Sequence, residues 1–297
     1  MSPRFDSPLV LLLVTGTLLG LAPPLGKAGI AAGVPPLGWA LLISAGTAAV
    51  LTAILAARGT PPRLDRARAV YATVTAALSY AIPNALMFLA IPHLGAGYAG
   101  IMLTLSPVTT LCIAILCRVR RPTALGVAGI VVGFVGAVVV ASTRGEVGRP
   151  ADPLWVAAGL AMPLFLASGN VYRSLGWPPG ATPTELAAGS HLAAAAMLLA
   201  ALVLAGDAGG LVRIADVPGL ALAQVAASAA MFACFFRLQV AGGPVYLSQI
   251  GYVGAAVGLL GGIAFLGEHY GPATLAGAVV IAAGVAMTTV AQRRATA

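Results

Sequence analysis

Tyr80 and Asn84 are polar side chains placed four residues apart around Pro83, inside a stretch with no charged residue. A spacing of four puts both side chains on the same face of a helix. Gln224 and Ser228 repeat this spacing in a second uncharged stretch. Phenol, amide and hydroxyl groups are costly to keep in apolar surroundings without a hydrogen-bond partner. The two pairs therefore predict a site that binds a small neutral or zwitterionic molecule.

The remaining binding candidates are also polar or aromatic and lie inside uncharged stretches. The full predicted set is Tyr80, Asn84, Tyr98, Gln224, Ser228, Tyr246, Gln249 and Tyr252. Each has an alternative role in helix packing, because polar groups in apolar helices also join helices together. Three prolines inside uncharged stretches each remove a backbone hydrogen bond and free a carbonyl for a cavity. These predicted kink and gating positions are Pro83, Pro107 and Pro163.

The sequence does not predict an enzyme. It has only eight Asp and Glu residues, and all of them lie outside the predicted membrane spans. The spans therefore contain no carboxylate pair for acid–base catalysis. Neither a GxSxG nor a GxxxxGK[ST] motif occurs. Cys112, Cys117 and Cys234 have no CxxC spacing, which argues against a metal site or a disulfide framework. We expect no catalytic residue, no cofactor and no metal.

The elements that position these residues are ten uncharged stretches of 20 to 30 residues each, when His93 is counted as a boundary. They are Ser7–Gly26, Ala28–Ala57, Ala69–Pro92, Leu94–Cys117, Pro122–Thr143, Pro153–Tyr172, Leu186–Gly206, Val217–Phe236, Leu238–Gly267 and Tyr270–Gln292. About 20 apolar residues of helix cross a bilayer, and lipid leaves no other partner for the backbone of such a segment. Charged residues make up only 8% of the chain. The sequence predicts an all-α integral membrane protein with ten transmembrane helices.

The basic residues predict the orientation of these helices. Of sixteen Lys and Arg, four (Lys27, Arg144, Arg149 and Arg213) lie on one side, and the other twelve lie on the side with both termini. Cytoplasmic loops carry such an excess of Lys and Arg. We expect both termini in the cytoplasm and a multi-pass protein in a bacterial inner membrane. The net charge of +8 follows from this topology, so nucleic-acid binding is not predicted.

The two halves of the chain resemble each other. An offset of 151 residues pairs Gly126 with Gly277, Gly133 with Gly284 and Cys117 with Glu268. Five helices per half is an odd number, so the halves must enter the membrane in opposite directions, as in secondary transporters. The predicted domains are two inverted five-helix repeats, residues 7–143 and residues 152–292. The binding site of such a protein lies near mid-membrane, between the repeats.

Several segments resemble the EamA family of the drug/metabolite transporter superfamily. They are Phe265-Leu266-Gly267-Glu268, the run from Leu275 to Gly284, the turn from Ala90 to Tyr98, and Ser106-Pro107. The likeness extends over both halves, although Cys117-Arg118 stands in the first half where the pattern has Gly-Glu. The resemblance implies a transporter, with bacterial exporters of amino acids and related metabolites as the nearest functional relatives.

The sequence therefore favours a secondary transporter that exports aromatic or other small neutral amino acids and related metabolites across the inner membrane by alternating access, with the lipid bilayer as its surroundings. Efflux of lipophilic cations or other drugs is an alternative, as is a membrane-embedded enzyme or scaffold. The candidates for coupling to protons are His191 and Glu268. For Glu268, a role in capping the last helix is favoured over proton relay. We expect a monomer whose partner is a small-molecule substrate.

Overall fold

The computed structural model describes residues 7–60, 65–118, 123–143, 145–146, 149–248 and 250–294. These residues form twelve α-helices, and nearly all of the described chain belongs to them. The helices are α1 (Pro8–Ala31), α2 (Pro36–Ala57), α3 (Arg66–Thr75), α4 (Ile82–Leu94), α5 (Ala96–Leu103), α6 (Ser106–Leu116), α7 (Ala124–Thr143), α8 (Pro153–Leu175), α9 (Pro183–Leu204), α10 (Pro218–Ser248), α11 (Ile250–Leu266) and α12 (Pro272–Arg294).

Four short elements lie between these helices. A π-helical segment, Ala76–Ala81, joins α3 to α4, and a 3₁₀-helix, Ala208–Asp216, precedes α10. Two antiparallel strands of two residues each, β1 (Gly145–Glu146) and β2 (Arg149–Pro150), follow α7.

The helices have the lengths and composition of membrane spans. Within the described residues, nine helical segments are long and apolar enough to cross a membrane, with α3 to α4 and α5 to α6 each counted as one. The tenth, α11, is apolar but has only 17 residues, the lower limit for a spanning helix. Large apolar side chains such as Leu116, Phe134 and Phe265 are exposed, which suits contact with lipid. The prediction of a multi-pass membrane protein built from α-helices is confirmed.

Proline explains the break in the third span. Pro83 lacks an amide hydrogen, and its ring would clash with the carbonyl of Ser79 in a regular helix. The backbone widens into the π-helical segment immediately before it. Such segments are frequent at functional sites, and this one carries Tyr80.

The fourth span has a comparable break. Helix α5 ends at Leu103 and α6 begins at Ser106, with Pro107 in its first turn, where the missing amide hydrogen costs nothing. By contrast, α8 runs through Pro163 as a continuous helix.

The eighth predicted membrane helix was expected to end before Arg237, and this expectation is wrong. Helix α10 does not stop at Phe236 but continues past Arg237 to Ser248. One arginine interrupts a run of apolar residues, but arginine is a good helix former and does not interrupt a helix.

Helices α7 and α12 pack closely. Gly129 of α7 lies beside Gly284 and Thr288 of α12, and Gly136, further along α7, lies beside the earlier Gly277. The two helices therefore run antiparallel. A Cβ atom on Gly284 would overlap the backbone of Gly129 and of Gly133. Small residues at these positions permit the two backbones to touch. The pair forms one side of the bundle, away from the polar residues described next.

Candidate functional site

A cavity with a volume of ≈ 130 Å³ lies among helices from both halves of the chain. A cavity needs about 10–15 Å³ of such volume to hold one water molecule. This cavity therefore has room for roughly ten waters or one small metabolite. The first half contributes residues of α1, α2, α4, α5 and α6, and the second half contributes residues of α8, α10 and α11.

The polar groups at the cavity surface are few and mostly neutral. Asn84, Ser106 and Ser228 line it from three different helices. Tyr80 lines it from the π-helical segment, and its buried hydroxyl makes no hydrogen bond with any described residue. Buried polar atoms rarely lack a partner, so this hydroxyl is available to a bound molecule.

The aromatic wall of the cavity is built around Tyr80. Its ring stacks on the imidazole of His191 at 4.1 Å between centroids, and Phe232 packs edge-on against both rings. Phe232 and Phe235 line the cavity from α10. His191 is fully buried behind this wall, and neither ring nitrogen bonds a described residue. This surface is suited to an apolar or aromatic group.

Arg173 is the only charged residue among those lining the cavity in the described part of the chain. It lies in the last turn of α8 and is only 3% exposed. Its guanidinium donates to the hydroxyl of Ser79 and to the side-chain oxygen of Asn170, and it lies 5.3 Å from the ring centre of Phe235. The charge pattern placed Arg173 among the cytoplasmic loop residues, whereas the fold turns it inward.

Of the predicted site residues, Tyr80, Pro83, Asn84 and Ser228 come together at the cavity. Gln224 lies one turn from Ser228 and donates to its hydroxyl at 2.9 Å. It also accepts a hydrogen bond of 3.1 Å from the indole of Trp39. Gln224 therefore supports the cavity wall from behind rather than facing the cavity.

The other predicted residues lie elsewhere. The hydroxyl of Tyr98 donates to the carbonyl of Val140 at 2.7 Å, which ties α5 to α7. The carbonyl of Pro163 accepts from the Thr109 hydroxyl at 3.1 Å, which ties α8 to α6. Tyr252, Pro107 and Pro163 are not among the cavity-lining positions of the described chain. Gln249 and the side chain of Tyr246 lie outside the described residues.

Glu268 closes one end of the bundle, which we call the Glu268 end. Its carboxylate accepts from the backbone amides of Ala96 and Gly97, at 2.6 and 2.9 Å. It also pairs with the ammonium group of Lys27 at 2.6 Å and accepts from the Tyr270 hydroxyl. The side chain is 1% exposed. Three segments that are distant in sequence meet on this one carboxylate.

The predicted cap on the last helix is therefore wrong. Glu268 caps α5, a helix of the first half, where the exposed amides at a helix N-terminus attract an anion. Gly95 precedes this cap with φ of 88°, a conformation that glycine adopts without strain.

The surroundings of Glu268 also determine its protonation. Burial raises the pKa of this carboxyl, but Lys27, Tyr270 and the two backbone amides outweigh burial, so that its pKa lies below the ordinary value of 4.5. Glu268 is therefore ionised at neutral pH.

Aromatic residues fill the opposite end of the bundle, which we call the Tyr71 end. Tyr71 is buried and packs against Tyr172 and Trp177, with centroid distances of 5.8 and 6.2 Å. Close by, Arg68 of α3 pairs with Glu185 of α9 at 3.0 Å. Arg68 also binds Asp65, whose pKa is lowered chiefly by the hydrogen bond from the Arg68 amide.

Trp39 and Arg173 have roles that their places in the sequence did not indicate. Trp39 lies in the first turn of α2, where a tryptophan can anchor a helix at the membrane interface, but it is fully buried and bonded to Gln224. Arg173 and its partner Asn170 were not among the predicted site residues. Their spacing of three residues on one helix face was the signal that could have connected them.

Residues 7–142 match the EamA-like transporter family. The match covers somewhat less than half of the chain. It supports a relationship to the drug/metabolite transporter superfamily, to which the EamA-like family of membrane transporters belongs. No curated protein matches the chain. A solved structure titled only as a crystal structure of a protein superimposes with a TM-score of 0.62 at 19% identity. The superposition covers 96% of this chain and 99% of the other, so it shows a shared fold and nothing about function.

Proposed function

We propose that this protein is a secondary transporter that exports amino acids (aromatic or other small neutral ones) and related metabolites by alternating access. The resemblance to amino-acid exporters such as YddG is part of this proposal, as are location in a bacterial inner membrane, cytoplasmic termini and a monomeric state. The EamA-like match supports the coarser part, a membrane transporter of the drug/metabolite type.

The observation that carries the proposal is the cavity between the two halves of the chain. Its neutral polar groups, Tyr80, Asn84, Ser106 and Ser228, project from helices of both halves. A zwitterion held there exchanges water for amide, phenol and hydroxyl hydrogen bonds, while its side chain packs on the aromatic wall. The Tyr71 and Glu268 ends are separate clusters on either side of it along the helices.

The close pairing of α7 and α12 supports the inverted-repeat part of the proposal. Gly133 and Gly284, which the offset of 151 residues makes equivalent, lie against each other in antiparallel helices. A two-fold axis through this contact would relate the two halves. Exchange of conformations between such halves opens a central cavity first to one side and then to the other.

The Glu268 cluster supports a gate at one end. In the described structure the carboxylate joins α1, the start of α5 and the segment before α12. Alternating access requires these elements to separate in the other state. The interactions that hold them are polar and can be remade, as expected for a reversible contact.

Efflux of lipophilic cations is the second candidate, and the aromatic wall is the observation that favours it. Aromatic rings attract cations. The buried guanidinium of Arg173 in the same cavity opposes this function, because a bound cation would be repelled in surroundings of low dielectric constant. Export of zwitterions ranks first for that reason.

The test is transport by the purified protein in liposomes, with a panel of radiolabelled amino acids and lipophilic cations, with and without a pH gradient. Tyr80→Ala and Asn84→Ala should each slow transport several-fold at sub-saturating substrate, since one neutral hydrogen bond contributes about 0.5–1.5 kcal/mol. Tyr80→Phe, which keeps the ring, should be milder. Tyr98→Phe is the matched control, since that hydroxyl bonds Val140 away from the cavity. Wild-type transport rates in both alanine variants would show that the substrate binds elsewhere.

A further inference from the structure

Arg173 carries a charge that no described residue neutralises. The carboxylates that make ion pairs in the described chain are Asp65, Glu185, Asp216 and Glu268, and each pairs with another cation. Arg173 instead donates to two neutral oxygens, those of Ser79 and Asn170. Its buried Nε has no partner within the described part of the chain. An isolated buried charge is unfavourable unless an opposite charge joins it.

The geometry points to a substrate carboxylate as that opposite charge. We propose that Arg173 is the anchor for the carboxylate of the transported molecule, and that the substrate is a monocarboxylate with an apolar or aromatic body. This assignment rests on the proposed transport function and names the substrate class of the same cavity.

The neighbours of Arg173 hold its guanidinium in one orientation. Ser79 and Asn170 fix the two Nη groups, and the ring of Phe235 supports the guanidinium plane. A guanidinium whose rotation is already restricted loses little entropy when it binds a carboxylate. Nε and the remaining Nη hydrogens are the donors available to that carboxylate.

The charge balance favours a carboxylate over a phosphate. A carboxylate brings one negative charge and is neutralised by one guanidinium. A phosphate monoester brings about −1.5 to −2, and the cavity offers no second cation among its described lining residues. The excess charge would remain buried and unpaired.

The rest of the cavity determines the body of the substrate. Phe232, Met231 and Met87 line it with apolar surface, and they suit an aromatic or branched apolar group. An ammonium group of an amino acid would find only neutral acceptors, such as Asn84 and Ser228. Recognition of the carboxylate should therefore contribute more to affinity than recognition of the amine.

Binding to purified full-length protein in nanodiscs tests this assignment, with three probes that differ in one group. The probes are L-phenylalanine, L-phenylalaninamide (which lacks the carboxylate) and 3-phenylpropionate (which lacks the amine). The two acids should bind wild-type protein at least about 30-fold more tightly than the amide, given the magnitude of a buried hydrogen-bonded charge pair. A fourth probe, phenylphosphonate, is a dianion at high pH and should bind more weakly than the acids under that condition.

Variants separate an anchor from a structural role. Arg173→Gln should remove the preference for the acids, and Arg173→Lys should keep part of it. Arg66→Gln is the control, because Arg66 is exposed at the same end of the bundle. The comparison of probes on the wild-type protein needs no variant, so it remains decisive even if Arg173→Gln does not fold.

Three results would overturn the assignment. They are equal binding of amide and acids, failure of both acids to bind folded wild-type protein, and a preference for acids that survives in folded Arg173→Gln. Tighter binding of phenylphosphonate would overturn the choice of a monocarboxylate. Flux in liposomes tests the proposed function separately. Acid-selective binding without flux would refute the transport function and support carboxylate binding by Arg173. Flux without acid selectivity would support transport and refute the role of Arg173.

Discussion

The replacement of Glu268 by glutamine should open the Glu268 end of the bundle. The substitution keeps the shape of the side chain and removes its charge. In the native protein the carboxylate accepts from two backbone amides and from Tyr270, and it pairs with Lys27. A glutamine oxygen can retain the bond from Ala96. Its NH₂ group would then face the amide of Gly97, donor against donor.

The size of the effect follows from these contacts. Lys27 is 26% exposed in its side chain, so water recovers part of the lost ion pair. The amide of Gly97 is buried and would lose its partner at a cost of about 1–3 kcal/mol. Together with the weakened ion pair we expect a loss of about 2–4 kcal/mol in the closed conformation. That corresponds to a shift of roughly 30- to 700-fold toward an open Glu268 end.

Cysteine accessibility measures this opening. Cys112, Cys117 and Cys234 are replaced by alanine, and a single reporter is introduced as Ala22→Cys, at a position that lines the cavity. A membrane-impermeant methanethiosulfonate reagent is added to vesicles from the Glu268 side only. The labelling rate should rise at least tenfold in Glu268→Gln. Asp152→Asn is the control, since it makes the same chemical change at an exposed helix cap of the same end, where Asn caps as well as Asp.

Equal labelling rates in Glu268→Gln and Asp152→Asn would refute the role of Glu268 as the closing contact. A pH series gives a second check with a defined sign. The pKa of Glu268 lies below its ordinary value of 4.5, so its stabilising contribution is complete above that value and is lost as the pH falls through the lower folded pKa. Labelling relative to Asp152→Asn should be constant between pH 6 and 8 and should rise only in strong acid. A rise near pH 7 would favour Glu268 as the proton-coupling group.

Two further predictions concern packing and can be checked by thermal unfolding in detergent. Gly284→Val should lower the melting temperature by several degrees, because its side chain would overlap the backbone of α7, whereas Gly219→Ala has open space around it and should change little. Trp39→Phe should cost about 1–3 kcal/mol, because the buried oxygen of Gln224 loses its donor. The double variant Trp39→Phe/Gln224→Met should recover part of that loss, and additive losses would contradict the hydrogen-bond explanation.

The sequence by itself determined the broad architecture. Ten uncharged stretches of membrane length are a property of the chain in one dimension, because hydrocarbon excludes charge and the bilayer sets the span. The pairing of Tyr80 with Asn84 around Pro83 was equally local, and both residues line the cavity. The π-helical widening beside Pro83 followed from the covalent structure of proline.

The tertiary structure decided which polar residues face the cavity. A membrane helix is apolar on its lipid face and on its packed face, so hydrophobic periodicity does not identify the inward side. Tyr98 therefore looked as promising as Tyr80, yet it bonds the backbone of α7. Trp39 lies in the first turn of α2, where a tryptophan can anchor at the membrane interface, yet it is buried in the core.

Contacts between distant segments were also decided only by the fold. Ser79 and Arg173 are 94 residues apart, and Lys27 and Glu268 are 241 apart. The distribution of charges assigned Arg173 and Lys27 to opposite sides of the membrane. This assignment concerns only the position of each residue along the membrane normal. The rotation of each helix, which turns Arg173 into the cavity and places Glu268 on the amides of α5, depends on how all the helices pack together. No single span contains that information.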